Sequence, residues 1–209
     1  MKKVQDHYFK KARKDNYPAR SVYKLREMDK RFRLFRPGQK VLDLGASPGS
    51  WSLYAAQKVT SNGLVLAVDL KEPAVSFPGQ VRFIQGDVFS DTDVAQQIRN
   101  LAPFNLVLSD MAPKTIGIKI TDQARSFELA MEALHLGRLV LIPGGSLCVK
   151  IFEGPDVEQL NREMKSSFVR VKHFKPKSSR AESREIFLIG MQFQKKENHD
   201  ASDLDRIRT

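Results

Sequence analysis

The stretch Val41-Leu42-Asp43-Leu44-Gly45-Ala46-Ser47-Pro48-Gly49-Ser50-Trp51 joins an apolar run to a turn of small residues and then to a helix start. It predicts a β-strand, a tight loop and an α-helix in succession. Gly45 lets the backbone turn at the end of the strand, Pro48 suits the first position of a helix, and Gly49 lets the backbone approach a ligand closely. Such a loop is typical of nucleotide-binding α/β domains, with a ligand-free turn as the alternative.

The spacing of the glycines indicates which kind of nucleotide ligand the loop would bind. Gly45 and Gly49 form a Gly-x-x-x-Gly pattern, whereas dinucleotide-binding loops have Gly-x-Gly-x-x-Gly. Pro48 also removes one of the amide donors that a pyrophosphate would use at the start of a helix. The loop therefore favours a nucleoside ligand without phosphates.

The charge of the chain is strongly biased towards its start. The 209 residues include 35 Lys and Arg against 24 Asp and Glu, a net charge of +11 that favours a polyanionic partner. Within residues 1–40, fourteen basic residues face four acidic ones, and His7, Tyr8, Phe9 and Tyr17 lie among them. Cations beside aromatic rings suit looped or single-stranded RNA, and the alternative is a charged arm whose aromatic residues pack on the domain.

Other features exclude several classes of protein. Cys148 is the single cysteine and lies in an apolar run, so it forms no internal disulfide or cysteine cluster and is expected to be buried. The four histidines lack metal-ligand spacing, and we expect no metal site. No apolar stretch is long enough to span a membrane and no signal peptide is evident, so we expect a soluble, cytoplasmic protein.

Helix and strand patterns alternate along one domain of this length. After a helix at 21–35, ended by Pro37-Gly38, and the first strand, the predicted strands are 64–70, 81–85, 105–109, 146–152, 169–174 and 186–193, and the helices are 51–59, 91–101, 122–141 and 156–166. Pro143-Gly144-Gly145 is expected to separate the long helix from the fifth strand. A short loop precedes the last strand, so we expect that strand to be antiparallel. Residues 194–209 are expected to form a disordered tail.

Acidic residues follow three neighbouring strands of the predicted sheet. Asp69, Asp87 and Asp110 come at or just after the ends of strands two, three and four, at the edge where open parallel sheets bind ligands. Asp69 could accept hydrogen bonds from ribose hydroxyls and Asp87 from an exocyclic amine, although turn or cap aspartates are the alternative. Lys150 interrupts the apolar fifth strand, where a lysine is unfavourable unless it is paired or functional. Together these features predict a Rossmann-like domain that binds an adenosine-containing cofactor.

Four segments of the chain resemble one known family. They are Asp43 to Trp51, Ser109-Asp110-Met111-Ala112-Pro113, Val149-Lys150-Ile151-Phe152 and Ser178-Ser179-Arg180-Ala181-Glu182-Ser183-Arg184-Glu185. In this order they closely resemble the FtsJ-type (RrmJ/RlmE) ribosomal RNA 2′-O-methyltransferases, and the likeness includes the basic helix with Ser21-Val22-Tyr23-Lys24-Leu25. The resemblance implies an α/β Rossmann-like methyltransferase fold, with a seven-stranded, mostly parallel sheet, an antiparallel last strand and helices on both faces.

The resemblance also implies a site. A Lys-Asp-Lys-Glu tetrad maps onto Lys24, Asp110, Lys150 and Glu185, and two ordinary buried ion pairs are the alternative reading of these residues. S-adenosylmethionine is the implied methyl donor, with contacts at Gly49, Trp51, Asp69, Asp87 and Asp110. Ser47 and Ser50 stand where many members have alanine and glycine. Lys150 could act as a base, if its pKa is lowered by Lys24 and a partly dry site, or could stabilise oxyanion charge.

The expected reaction is 2′-O-methylation of RNA, which by the resemblance would fall on a uridine in the A-loop of 23S rRNA within the 50S particle. The alternatives are a tRNA 2′-O-methyltransferase and a non-catalytic RNA-binding assembly factor. We expect residues 1–40 to form an RNA-binding arm and helix, 41–193 the methyltransferase domain, and the protein to act as a monomer without DNA or membrane partners.

Overall fold

The computed structural model describes residues 2–180 and 182–195, with side chains from residue 8 onward, so most of the predicted tail lies outside the described residues. The helices are α1 Lys2–Lys14, α2 Val22–Phe32, α3 Ser50–Val59, α4 Thr92–Leu101, α5 Lys119–Val140 and α6 Val157–Lys165. The strands are β1 Lys40–Leu44, β2 Leu64–Asp69, β3 Val81–Gln85, β4 Phe104–Ser109, β5 Leu141–Phe152, β6 Phe168–Phe174 and β7 Glu185–Phe193.

The strands form one seven-stranded sheet in the order β3-β2-β1-β4-β5-β7-β6. The first five strands of that order are parallel, and β7 runs antiparallel to both of its neighbours. The predicted Rossmann-like fold and antiparallel last strand are confirmed. Because β7 runs against β5, its first residue, Glu185, lies at the edge where β4 and β5 end.

Two apolar cores cover the two faces of this sheet. Alternation along β1 sends Val41 into one core and Leu42 into the other, as expected for a strand buried on both faces. Leu25 of α2 and Ala55 of α3 belong to the first core, and Leu134 of α5 belongs to the second. The helices therefore lie on both faces, and α2 is packed on the same face as α3.

The helix boundaries differ from the prediction by up to three residues, as at the start of α5 at Lys119, and two of the differences bear on the site. Helix α2 ends at Phe32 and not at residue 35, because Arg33 adopts a left-handed conformation with φ of 54° and donates its N–H to the carbonyl of Asp29. Helix α3 begins at Ser50 with Gly49 as its N-cap. The sequence suggested Pro48 for the first position of this helix, but Pro48 lies two residues before it.

Strand β5 begins earlier than predicted. It follows α5 directly at Leu141, and Pro143-Gly144-Gly145 lies within the strand as an irregularity where the pairing with β4 shifts between Phe104 and Leu106. A bulge of this kind accommodates proline and a left-handed Gly144 (φ 80°) without ending the strand. Helix α1 was not predicted as an element, because its strongly basic sequence contains few apolar residues.

Candidate active site

The turn between β1 and α3 depends on two glycines. Gly45 has φ of 74° and Gly49 has φ of 111°, conformations that side chains disfavour. A Cβ atom at Gly45 would also lie 2.8 Å from Cγ of Met111, and one at Gly49 would lie 2.8 Å from Cγ2 of Val75. The backbone of this loop therefore approaches its neighbours more closely than any other residue type would allow.

Trp51 lies at the start of α3, but its side chain faces the protein. The indole Nε1 donates a 2.9 Å hydrogen bond to the carbonyl of Ser21, and the ring lies 5.8 Å from the ring of Phe187. The side chain therefore fixes α3 against α2. The part of Trp51 that remains available to a ligand is its backbone amide, in the first turn of the helix.

Ser50 connects the same turn to the chain before α2. Its Oγ accepts a 2.8 Å hydrogen bond from the N–H of Ala19 and donates a 3.1 Å hydrogen bond to the carbonyl of Ala19. A glycine at this position could make neither bond. The departure from the family pattern at Ser50 thus ties the glycine loop to the segment that leads to Lys24, which the sequence alone did not suggest.

Asp69 and Asp87 lie at the predicted strand ends and are half-buried. Asp69 accepts hydrogen bonds from the N–H of Ser47 at 2.9 Å and of Lys71 at 2.8 Å, one on each oxygen. Asp87 Oδ1 accepts a 3.0 Å hydrogen bond from the N–H of Phe89. A carboxylate oxygen has two lone pairs, so each side chain is held in place and can still accept a bond from a ligand.

Asp43 belongs to the same edge but was not predicted as a site residue. The pKa of its carboxyl is raised to about 7, chiefly by burial and also by the charges of Asp110 and Asp69, against the lowering effect of a 2.6 Å hydrogen bond from Ser52 Oγ. Its other oxygen is buried without a hydrogen-bond partner. The signal in the sequence was an aspartate inside an otherwise apolar strand.

These carboxylates fit a positively charged adenosine ligand. Asp69 and Asp110 lie close enough to Asp43 for their charges to raise its pKa, and Oδ1 of Asp110 is buried without a hydrogen-bond donor. A cation beside them would offset their mutual repulsion. S-adenosylmethionine carries a sulfonium and an α-ammonium group, so the residues present suit this cofactor.

The four residues of the predicted tetrad form one contact network. Lys24 Nζ donates a 2.7 Å hydrogen bond to Glu185 Oε2, and Lys150 Nζ lies 3.7 Å from Glu185 Oε1. Lys150 Nζ also lies 2.9 Å from Asp110 Oδ1 and donates a hydrogen bond to the main-chain carbonyl of Asp110. The contact with Oδ1 is an ion pair without hydrogen-bond geometry, which leaves that oxygen able to accept a donor.

Sheet register explains why these distant residues meet. Lys150 of β5 pairs with Phe187 of β7, and Phe152 pairs with Glu185, so Lys150 and Glu185 point to the same face. Phe187 lies in the core that includes α2, which identifies this face as the one from which Lys24 approaches. Asp110 directly follows β4, whose Ser109 pairs with Val149.

Charges in the network balance. Burial alone would raise the pKa of Glu185, but the Lys24 and Lys150 charges and hydrogen bonds from Lys24 and Ser183 outweigh it and lower that pKa below its ordinary value. The Lys150 side chain is 4% exposed and that of Lys24 is 13% exposed. Two lysines and two carboxylates thus share a mostly dry pocket, in contrast to the three carboxylates beside the glycine loop.

A cleft of about 640 Å³ opens beside Lys24 and Glu185. Its cationic lining comes from α2 and the turn before it, the start of α5 and the segment between β6 and β7: Arg20, Lys24, Lys119, Arg180 and Arg184. Three carboxylates, those of Asp122, Glu182 and Glu185, also line it. Asp122 is already engaged, because it accepts hydrogen bonds from the N–H groups of Ile116 and Gly117.

The aromatic residues of the basic arm are mostly packed on the protein. Tyr17 is buried and donates a hydrogen bond to Gln57, and the ring of Tyr8 lies 5.3 Å from the ring of Tyr23. Phe9 is the exposed exception, at 46%, with the Arg13 guanidinium 4.8 Å from its ring centre. Of the aromatic side chains described in the arm, Phe9 therefore remains the best placed to stack on a base.

Two further observations concern the described residues. Among them, no three His, Cys, Asp or Glu side chains are grouped in a way that could hold a metal ion. None of the helices in this part of the chain has the length and apolarity needed to cross a membrane.

The fold and the site together define a Rossmann-like methyltransferase. The chain belongs to the FtsJ-like methyltransferase family, whose model matches residues 17–193. It is 55% identical over 201 residues to a protein of Nitratidesulfovibrio vulgaris named ribosomal RNA large subunit methyltransferase E, covering 96% of this chain and 98% of that relative. A protein of the same name from Lawsonia intracellularis is 50% identical and covers 93% of this chain and 98% of that relative.

Solved structures show the same architecture. A crystal structure of a Plasmodium falciparum protein, titled a putative ribosomal RNA methyltransferase, matches with a TM-score of 0.75 and 29% identity, over 86% of this chain and all of that one. Human methyltransferase-like protein 13, solved in complex with SAH, matches with a TM-score of 0.53 and 13% identity, over 82% of this chain and 79% of that one. At that identity the second likeness concerns the fold alone.

Proposed function

We propose that this protein transfers a methyl group from S-adenosylmethionine to a ribose 2′-hydroxyl of large-subunit ribosomal RNA. The finer proposal is that the target is a uridine in the A-loop of 23S rRNA and that the substrate is the 50S particle. The observation that carries it is the Lys24–Glu185–Lys150–Asp110 network, which lies between the glycine loop and a cationic cleft. The names of the relatives support the choice of ribosomal RNA.

The cofactor would be held by the edge that carries the glycine loop. Gly49 and Trp51 offer backbone groups, Asp69 and Asp87 offer carboxylates for the ribose hydroxyls and the adenine amine, and Asp110 offers a carboxylate to the positively charged part. The cofactor supplies an electrophilic methyl group on its sulfonium. Asp110 belongs to both halves of the site, so it sets the position of the cofactor relative to Lys150.

The tetrad would activate and place the hydroxyl. A ribose hydroxyl is a poor nucleophile at neutral pH. As its oxygen forms the bond to the methyl group, its proton is released to water in the cleft through the carboxylate that accepts its hydrogen bond, and the oxygen carries negative charge in the transition state. Lys150 lies between two carboxylates, so we propose that its ammonium stabilises this developing charge by donating a hydrogen bond to the 2′ oxygen. Lys24 holds Glu185 ionised, and Glu185 and Asp110 orient Lys150 and accept hydrogen bonds from the substrate.

The cationic lining of the cleft and the basic arm would bind the RNA backbone. Arg20, Lys119, Arg180 and Arg184 line the cleft on several sides of the Lys24–Glu185 pair. Phosphate contacts of this kind position the nucleic acid without reading its sequence. We propose that the protein does this in the cytoplasm and as a monomer.

A labelling experiment tests the proposal. The protein is incubated with S-adenosylmethionine labelled in the methyl group and with either 50S particles from a strain lacking this methylation or bulk tRNA. We expect label in the 23S rRNA of the particles, at a ribose that then resists alkaline cleavage. Label in tRNA alone would make the protein a tRNA methyltransferase, and no label in either RNA would contradict catalysis.

A further inference from the structure

Helix α2 is connected to the segment between β6 and β7 by a carboxylate that the tetrad does not include. Glu27 Oε2 accepts a 2.7 Å hydrogen bond from the N–H of Lys177, and Oε1 accepts a 2.9 Å hydrogen bond from the N–H of Ser178. A carboxylate that accepts two consecutive backbone amides makes two charge-assisted hydrogen bonds in a fixed geometry. Neither partner is a neighbour in sequence, so the contact joins two distant parts of the fold.

Arg20 completes the connection from the same side. Its Nη2 donates a 2.6 Å hydrogen bond to the carbonyl of Ser178, so both backbone polar groups of Ser178 are bound by residues of α2 or the turn before it. Ser178 is buried, with 1% of its surface exposed. We call this set of contacts, made by Glu27 and Arg20 to Lys177 and Ser178, the α2 clasp.

The α2 clasp lies beside the tetrad. Glu27 is three residues after Lys24, which places both side chains on one face of the helix. Arg20, Lys24 and Ser178 line the same cleft as Glu185, the residue that directly follows the clasped segment. At that end Ser183 Oγ donates a 3.0 Å hydrogen bond to Glu185 Oε2, the oxygen that also accepts from Lys24.

We propose that Glu27 is a positioning residue, whose carboxylate sets the spacing between α2 and the opposite wall of the cleft and thereby the alignment of Lys24 with Glu185. This inference rests on the proposed function. Glu27 touches neither the cofactor edge nor the tetrad and acts through the backbone that it holds. Loosening the clasp displaces one wall of the cleft relative to Lys24, and small misplacements of reacting groups lower rates strongly.

The test compares Glu27→Ala with Glu27→Gln and a matched control, Glu153→Ala. Glu153 pairs with Lys175 of the same segment at 3.2 Å, but both side chains are about half exposed, so removing that pair should change little. The rate constant for methyl transfer to 50S particles is measured per site that binds S-adenosylmethionine, which removes any effect of unfolded protein. Tryptic cleavage of the Lys177–Ser178 bond is measured in parallel, without RNA or cofactor.

We expect Glu27→Ala to lower kcat on the order of tenfold, with the affinity for S-adenosylmethionine unchanged. Cleavage at Lys177–Ser178 should rise by on the order of fivefold or more, because the bond loses its protection by the clasp. Glu27→Gln retains one acceptor oxygen and should fall between the wild type and Glu27→Ala in both measurements. Glu153→Ala should match the wild type in both.

Two results would overturn the inference, and both differ from a failure of the proposed function. Unchanged cleavage in Glu27→Ala would mean that the clasp does not hold the segment. Faster cleavage with an unchanged kcat would mean that the clasp is structural and does not position the tetrad. If the proposed function is wrong, the wild type itself transfers no methyl group to the particles, while the cleavage measurement still reports on the clasp.

Discussion

The two halves of the candidate site differ in how they are assembled and in how their charges are balanced. The cofactor half comes from residues 41–110, that is from β1, the loop before α3 and the ends of β2, β3 and β4, and it brings the charges of Asp69 and Asp110 close to Asp43. The tetrad half comes from α2, β4, β5 and β7, and it pairs two lysines with two carboxylates. In the proposed mechanism, the first half receives the positive charge of the cofactor, and the second half stabilises the negative charge that develops on the ribose oxygen.

Asp110 belongs to both halves, and its replacement should give the largest effect. In Asp110→Ala, we expect methyl transfer to fall on the order of a thousandfold and the affinity for S-adenosylmethionine to fall on the order of tenfold, because one carboxylate serves both sites. Calorimetry would measure the affinity for the cofactor, and single-turnover kinetics would measure the rate of methyl transfer. A loss of transfer with full cofactor affinity would place Asp110 in the tetrad half alone.

Replacing Lys24 should affect the tetrad half only. We expect Lys24→Ala to lower kcat by about ten- to a hundredfold, since Glu185 loses its nearest cation and its alignment. The pKa of Glu185 is held below its ordinary value by Lys24 and Lys150 against burial, so the loss of Lys24 should raise it. The acidic limb of the pH–rate profile, where the carboxylate becomes protonated, should then move to higher pH.

A second lysine of α2 provides the comparison for Lys24. Lys30 is exposed on the same helix, so Lys30→Ala removes one positive charge without touching Glu185. This variant is expected to weaken RNA binding only slightly and to keep the acidic limb of the wild type. If both variants shift the limb equally, the shift would reflect total charge and not the Lys24–Glu185 pair.

Asp43 offers the most local test, in the stability of the cofactor half. Its pKa is raised from 3.8 to about 7, so the folded protein binds the proton more tightly than the unfolded chain does. Stability present at pH 4 is therefore lost as the pH rises towards 7, by up to about 4 kcal/mol for this group. Asp43→Asn cannot ionise and should lack this loss, so the two unfolding free energies should diverge between pH 4 and 7 in urea titrations without cofactor.

Parallel stability curves for the wild type and Asp43→Asn would contradict this account of the cofactor half. They would mean that Asp43 titrates as an exposed carboxyl would, in spite of its burial and its neighbours. The control is Asp91→Asn, because Asp91 accepts the N–H groups of Asp93 and Val94 at the start of α4 and lies outside the carboxylate group. Its replacement tests whether the loss of any carboxylate of the domain gives the same divergence, which would remove Asp43 from the explanation.

The sequence predicted the cofactor half more completely than the tetrad half. Strand ends and glycine positions are local properties, so Gly49, Asp69 and Asp87 could be placed from spacing and periodicity. Lys24, Lys150 and Glu185 meet only through the register of β5 with β7, which spacing does not encode, and their grouping came from the family resemblance.

Three details of the site depend on side-chain geometry, which the sequence alone does not reveal. The sequence did not show that the indole of Trp51 faces Ser21, because an aromatic residue at a helix start can point to either side. Nor did it show that Asp43 is buried beside Asp69 and Asp110, or that Glu27 binds a backbone segment 150 residues away. Each depends on long-range packing that charge and hydropathy patterns leave undetermined.

The most direct test of the division between the two halves is Lys150→Ala. Affinity for S-adenosylmethionine is measured by calorimetry, and single-turnover methyl transfer is measured on 50S particles that lack the methylation. We predict cofactor affinity within about twofold of the wild type and transfer reduced on the order of a thousandfold, because in the proposed mechanism Lys150 stabilises charge on the ribose oxygen. Transfer near the wild-type rate, or cofactor affinity lost in proportion to transfer, would contradict the account.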